Sequence, residues 1–398
     1  MFTWFNKNVP SHILHKVYPF LISDILPRVY VTGIAYSKYY AGEVGVEGGE
    51  DCVLIFVDEK KPEILNKLPK EIHGVKTIVM KGDFYILKSS QEIPKIKCTH
   101  CKIRPLIGGI SIGCQGIGAG TLGCVVYDVF TGEPLILSNN HVLGLNWGLC
   151  RWGEGKEGSL PILQPGPLDI PECIPRGYTG LDCPELICSE DVASEFIVGY
   201  LHRTVRVYLP YEDEGQPGCN PGENVIDAAV AKPISPDIVK PLVVNYIGKV
   251  GEEIKEADVG MKVKKCGRTT NLTFGKVFAI NAVLHIRGWG RCTFVNQIVI
   301  DYDRDRQTLP IFGLPGDSGS LIVDDTPNNN PVGLLFASSR VEGRPMIIAN
   351  PINAVCEILK ITFTPRPTTP PVTTPRPLTT MPPRLHIVKS KIAVKVKP

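Results

Sequence analysis

Gly316-Asp317-Ser318-Gly319-Ser320, set between Leu314-Pro315 and the apolar run Leu321-Ile322-Val323, is the stretch that decides how this chain is read. Glycines let a backbone turn tightly and come close to a ligand. A serine between them presents its hydroxyl at the turn. The N–H groups of Gly316 and Ser318 are then candidates to face a developing oxyanion. A serine hydroxyl is a weak nucleophile by itself and needs a histidine base and an acid that orients the base. A Gly-rich turn between two strands is the competing reading. The two missing partners decide between them.

Both partner types stand in strand-like surroundings. Pro134-Leu135-Ile136-Leu137-Ser138 reads as a strand and runs into Asn139-Asn140-His141. Val225-Ile226-Asp227-Ala228-Ala229-Val230-Ala231 reads as a second strand that carries one acid in an apolar run. A carboxylate buried there requires hydrogen-bond partners or a countercharge. The order is His141, Asp227, Ser318, and each interval holds several further strand candidates. The other histidines (His12, His15, His73, His100, His202, His285, His386) lack this setting, as do Asp213 and Asp237.

Six strand candidates follow residue 260 with turn signals between them, which fits a closed antiparallel barrel. Residues 352–359 read as a helix packed on it. Before residue 105 the texture differs. Residues 29–35, 52–57, 75–80 and 84–87 read as strands, 12–26 and 62–68 as short helices. Together they suggest a small α/β unit with nothing catalytic in it.

On the motifs 138–143, 226–230 and 316–320, the chain resembles the trypsin-like (chymotrypsin-fold) serine peptidases. Cys266-Gly267-Arg268-Thr269-Thr270, Val332-Gly333-Leu334-Leu335-Phe336 and Ile162-Leu163-Gln164-Pro165-Gly166 resemble more narrowly the prokaryotic and plant branch related to the Narrow Leaf 1 protein. The resemblance spans about residues 105–361. It implies a mainly β fold of two antiparallel six-stranded barrels, the first over 105–240 with an insertion at 144–222, the second over 241–361. An α/β domain over 1–104 precedes them. It implies a serine endopeptidase acting on polypeptide through an acyl-enzyme, with Ser318 as nucleophile, His141 as base and Asp227 orienting it. Gly316 and Ser318 would supply the oxyanion hole. The position six before the nucleophile, an acid in digestive members, is Phe312 here, so an apolar or small side chain is the expected preference. Phe312 and Phe336 are the candidate specificity-pocket residues. In zymogens of the family a freed amine pairs with the aspartate before the nucleophile, here Asp317. Arg104-Pro105-Leu106-Ile107-Gly108-Gly109 resembles such a new N-terminus only superficially, because Pro105 blocks ordinary cleavage after Arg104. The expectation is that the chain is not activated there.

Two other readings compete: a peptidase-fold binding or assembly protein whose cleft is covered by the N-terminal unit or the 144–222 insertion, and an enzyme that cleaves only itself. The 13 cysteines leave disulfides, metal or buried thiols open. Cys98 and Cys101 form a CxxC, a weak metal candidate without two further ligands nearby. The chemistry implied needs no cofactor. A net charge of +3 over 398 residues gives no argument for nucleic acid. No apolar run is long enough for a transmembrane segment. No secretory signal is discerned at the start, so a cytoplasmic setting is favoured, with secretion by another route open. Residues 362–384 read as a Thr/Pro-rich linker. Residues 385–398 read as a basic tail whose alternation would suit docking on a sheet edge or anionic surface.

Overall fold

The computed structural model of the chain describes residues 5–86, 98–114, 118–144, 160–170, 174–179, 183–187, 194–205, 207–208, 223–287 and 291–365. The basic tail, nearly all of the Thr/Pro linker and most of the 144–222 stretch lie outside them.

The strands that matter for the site are β1 (Val31–Tyr40), β2 (Glu50–Val57), β3 (Val75–Ile86), β4 (Ile110–Cys114), β5 (Gly120–Leu122), β6 (Cys124–Asp128) and β7 (Pro134–Ser138). A one-turn helix, α1 (Asn140–Leu143), follows. Then come β8 (Pro161–Leu163), β9 (Ile197–Thr204), β10 (Ala229–Pro233), β11 (Lys262–Gly267), β12 (Asn271–Arg287) and β13 (Arg291–Tyr302). The last are β14 (Leu321–Asp324), β15 (Pro331–Val341), β16 (Arg344–Pro351) and the helix α2 (Ile352–Leu359). Among the described residues no helix is long and apolar enough to cross a membrane.

The chain is mainly β, in large sheets. In an 8-stranded sheet, β6, β7, β10, β9, β8, β4 and β5 are neighbours in that order. Only Gly123 separates β5 from β6, so the path returns to the segment it left. In the 11-stranded sheet the order is β11, β14, β15, β16, β13, β12, and β12 pairs back onto β11. Each sheet lines an apolar core. Ile110, Ile112, Leu122, Ile136, Ile162 and Ala229 fill the first. Val263, Val277, Ile300, Phe312, Ile322, Leu335 and Ile347 are packed within the second. Alternate residues of a strand point to opposite faces, so Leu334 leaves that interior and joins a cluster with α2.

The strands of the α/β unit expected for 1–104 are joined to the later strands by sheet pairing. They extend the second sheet. β1 pairs antiparallel with β12 (Gly33 opposite Leu284) and with β2. β2 pairs in parallel with β3. β3 in turn pairs antiparallel with β15, Ile86 opposite Ala337 and Gly82 opposite Val341. The run Cys52-Val53-Leu54-Ile55-Phe56-Val57 is buried along its whole length. Continuous burial is what a strand covered on both faces requires. Lys81-Gly82-Asp83, which reads as a turn, is part of one unbroken strand. At Gly82 a Cβ would come within 2.9 Å of Phe56 Cδ1, so the glycine gives passage beneath the ring. Residues 13–25 are helical and lay Ile13, Val17, Leu21 and Ile25 on the same core. α2 forms over the residues expected, and Lys360 ends it in the left-handed region, φ 53°.

Phe56 is fully buried and meets Phe84 edge-on at 5.2 Å between ring centroids. Phe56→Ala should lower stability by about 3–5 kcal/mol. Because the sheet is shared, urea unfolding followed by the absorbance of the buried Tyr18 and Tyr36 and by far-UV circular dichroism should shift together in one transition.

Candidate active site

The histidine and aspartate are held by the first sheet. β7 ends at Ser138, and α1 begins two residues later and carries His141, 6% exposed. Asp227 is fully buried just before β10, not within it as the apolar run suggested. Its Oδ1 accepts the backbone N–H of His141 at 3.1 Å, and its Oδ2 accepts the proton of His141 Nδ1. An ionised carboxylate only accepts. This pairing therefore places the imidazole proton on Nδ1 and makes Nε2 the acceptor. Asp227 is itself fixed from two sides. Asn139 Nδ2 donates to its carbonyl at 2.7 Å, and its own N–H donates to Oδ1 of Asn350 on β16. The second contact ties the aspartate of one sheet to a strand of the other.

Ser318 lies in a turn that enters β14. Gly316 (φ 95°) and Gly319 (φ 92°) adopt backbone conformations that side chains rarely tolerate. A Cβ at Gly319 would also stand 2.1 Å from Ser138 Oγ and 2.3 Å from the Thr121 carbonyl. The turn is thus pressed against β5 and β7.

Thr121 on β5 is the hub of that contact. Its N–H donates to the Ser318 carbonyl at 2.7 Å. Its hydroxyl donates to the Gly316 carbonyl at 2.9 Å and accepts from the Arg268 N–H at 2.9 Å. Its carbonyl accepts Ser138 Oγ at 2.7 Å. One residue earlier, a Cβ on Gly120 would stand 2.5 Å from Val142 Cγ2 and 3.0 Å from the Ser318 carbonyl oxygen. The helix that carries His141 and the turn that carries Ser318 therefore meet across Gly120-Thr121.

Behind the turn, Asp317 is fully buried. Its Oδ1 accepts from the N–H groups of Thr269 (2.9 Å) and Thr270 (3.1 Å). Its Oδ2 accepts from Thr270 Oγ1 (2.7 Å) and Leu314 N (2.9 Å), and pairs with Lys265 Nζ at 3.3 Å. The Lys265 side chain is fully buried as well. Lys265 was not singled out from sequence. The only signal was a lysine just before Cys266-Gly267-Arg268-Thr269-Thr270, facing inward on a strand.

Two peptide groups of the turn are oriented from outside. Thr269 Oγ1 donates to the Pro315 carbonyl at 2.7 Å. The Asp317 carbonyl accepts from Ser320 N at 3.0 Å and Ser320 Oγ at 2.6 Å. In a trans peptide the N–H points opposite to its carbonyl. The N–H groups of Gly316 and Ser318 are thereby turned away from those anchors. Arg268 supports the arrangement, its guanidinium on both oxygens of Asp169 at 2.6 Å.

The CxxC stretch docks on the same loop. Thr99 Oγ1 (3.0 Å) and His100 Nε2 (2.9 Å) bond the Arg268 carbonyl. Cys101 is an exposed thiol, and the side chain of Cys98 lies outside the described residues. Among the described residues no three or more His, Cys, Asp or Glu side chains are grouped to hold a metal ion. Cys266 is the thiol closest in sequence to this machinery, and burial pushes it up to about 12. A thiol raised in this way is seldom the reactive thiolate.

The two aromatic residues expected in a specificity pocket are not brought together. Phe312 is 1% exposed within the second interior, against Gly275. Phe336 is fully buried in a different cluster, 4.9 Å from Phe294 between ring centroids. Both serve as core side chains.

The chain shows a distant structural similarity to chymotrypsin-fold serine proteases. Residues 243–350 match the family described as the Nal1 C-terminal domain. No curated protein matches the chain. Among solved structures it is similar to the chymotrypsin of Cellulomonas bogoriensis, at 16% identity and a TM-score of 0.37, over 65% of this chain and 98% of that one. It is similar to Thermobifida fusca protease A at 14% and 0.37, over 64% and 96%. It is also similar to a glutamic acid-specific serine protease at 16% and 0.39, over 65% and 99%.

Lys265→Met should leave the Asp317 charge buried without its cation and lower stability by about 3–5 kcal/mol. Lys265→Met combined with Asp317→Asn should recover a large part of that loss in urea unfolding.

Proposed function

We propose that the chain is a serine peptidase that hydrolyses peptide bonds through an acyl-enzyme, on two six-stranded barrels of the trypsin-like kind. The observation that carries this is the meeting of the Asp227–His141 pair and the Ser318 turn across Gly120-Thr121. In this reading Ser318 Oγ attacks the scissile carbonyl while His141 Nε2 takes its proton. Asp227 holds the imidazole and stabilises the imidazolium. The oxyanion is met by the N–H groups of Gly316 and Ser318, each worth about 2.7–4 kcal/mol in the transition state. His141 then gives its proton to the leaving amine, and water repeats the sequence on the acyl-enzyme. Neither a metal nor an organic cofactor enters these steps.

Lys265 supports a site that is competent as synthesised. In zymogens of the resembled family the cation on this aspartate is a freed chain end. Here an internal ammonium takes that place, which agrees with the expectation that cleavage after Arg104 is not required. The competing reading, a peptidase fold used for binding, is favoured by one observation, the pairing of β3 along β15 close to the nucleophile turn.

A fluorophosphonate probe separates the two. Wild-type protein should be labelled on Ser318 and Ser318→Ala should not. Asp227→Asn should lower peptide hydrolysis by about 10⁴ because the imidazole tautomer is lost. A folded wild-type protein that resists the probe would favour the binding protein.

A further inference from the structure

A strand has two edges, and on β15 both are accounted for. β16 runs along one edge from Gly333 to Val341. β14 pairs with residues 331–334 and β3 with residues 337–341, so both lie on the other edge, end to end. Between them Leu335 is taken by the nucleophile turn. Gly319 N donates to the Leu335 carbonyl at 2.8 Å, and Leu335 N donates to the Ser320 carbonyl at 3.0 Å. Phe336 alone remains between Leu335 and the start of β3 pairing.

That edge is where the acyl part of an extended substrate would find backbone partners. The leaving amine must lie toward His141, which protonates it, and His141 belongs to the first sheet. The acyl side therefore extends toward the second sheet, past the turn and along β15. Peptides commonly bind by adding a strand to such an edge. β3 already does so, antiparallel, with Ile86 at the end nearest the turn.

β3 is built in rather than laid on. Its other edge pairs with β2 from Cys52 to Val57. Phe84 is buried against Phe56, and Thr32 Oγ1 donates to the Gly82 carbonyl at 2.6 Å. At its far end Glu342 N donates to the Lys81 carbonyl at 2.9 Å, and Glu342 Oε1 accepts Lys81 N at 2.8 Å. Displacing the strand would open the core shared by β1, β2 and β12.

We infer that β3 is a specificity element: it closes the acyl side of the site, so that the protein acts on peptides presenting no more than about two residues before the scissile bond. The substrate class is then the amino-terminal end of a polypeptide, or a short acyl peptide, rather than an extended internal segment. The inference rests on the peptidase reading and narrows the endopeptidase expected from sequence.

The test uses diphenyl phosphonates carrying one to four residues on the acyl side. Ser318 Oγ attacks phosphorus, a P–O bond forms, and phenoxide leaves to be protonated to phenol. Labelling is followed by intact mass on the full chain, with a small fluorophosphonate as control. The rate should be flat from one to two residues and fall by about tenfold or more by four; labelling by the fluorophosphonate but by no peptide phosphonate overturns the inference. An enzyme that spends remote binding energy on an extended substrate shows the opposite trend. A rate that rises with length while the control labels overturns this inference alone. Failure of the control overturns the peptidase reading and this inference with it. Hydrogen exchange on the free protein gives a second check: amides of 82–86 and 337–341 should exchange slowly, and rapid exchange there would show the edge to be open.

Discussion

Asp317 is a charge without access to water, and the site depends on how it is satisfied. Burying an isolated carboxylate is prohibitive, and such groups are paired and hydrogen-bonded when they occur. Five donors converge on it, from Lys265, Thr269, Thr270 and Leu314. Three come from the adjacent Thr269 and Thr270, one from Lys265 and one from Leu314. The carboxylate therefore ties the turn before Ser318 to β11 and to the loop after it. Once Asp317 is fixed, the backbone of Gly316 and Ser318 has little freedom left. Thr269 and Ser320 then set the direction of the two peptide groups.

A second constraint joins the sheets. The turn belongs to the second sheet but is held by Thr121 of the first. The aspartate beside His141 belongs to the first but is held by Asn350 of the second. These reciprocal contacts make the site a property of the interface between sheets. Close approach there is bought with glycines at 120 and 319, where a side chain would collide with Val142 or Ser138. Mutations that loosen the packing between sheets should therefore act on both halves of the site together.

Local motifs made part of this legible. The glycine–serine turn, the histidine after β7 and the aspartate before β10 are each readable because their chemistry dictates their neighbours. Their order along the chain suggested a two-sheet arrangement. α2 was legible as a helix over 352–359. What sequence did not show is long-range pairing. β3 meets β15 across some 250 residues, and nothing local in Gly82–Ile86 specifies that partner. Lys81-Gly82-Asp83 suggested a break because turn composition is local, whereas the glycine is needed for a tertiary contact with Phe56. Thr121 and Lys265 escaped for the same reason. A threonine and a lysine in strands are ordinary until the residues opposite them are known. Phe312 and Phe336 are buried in different clusters, which sequence does not show because it leaves open which face of the sheet a side chain takes.

If the buried supports of the turn aim the Gly316 and Ser318 amides as proposed, both nitrogens meet the oxygen of a group attached to Ser318. A crystal structure of the organophosphoryl adduct tests it most directly. The adduct should be on Ser318, its phosphoryl oxygen about 2.7–3.1 Å from both nitrogens, with the Pro315 carbonyl still on Thr269. An adduct elsewhere, or one on Ser318 with the Pro315 carbonyl turned toward that oxygen, would contradict it.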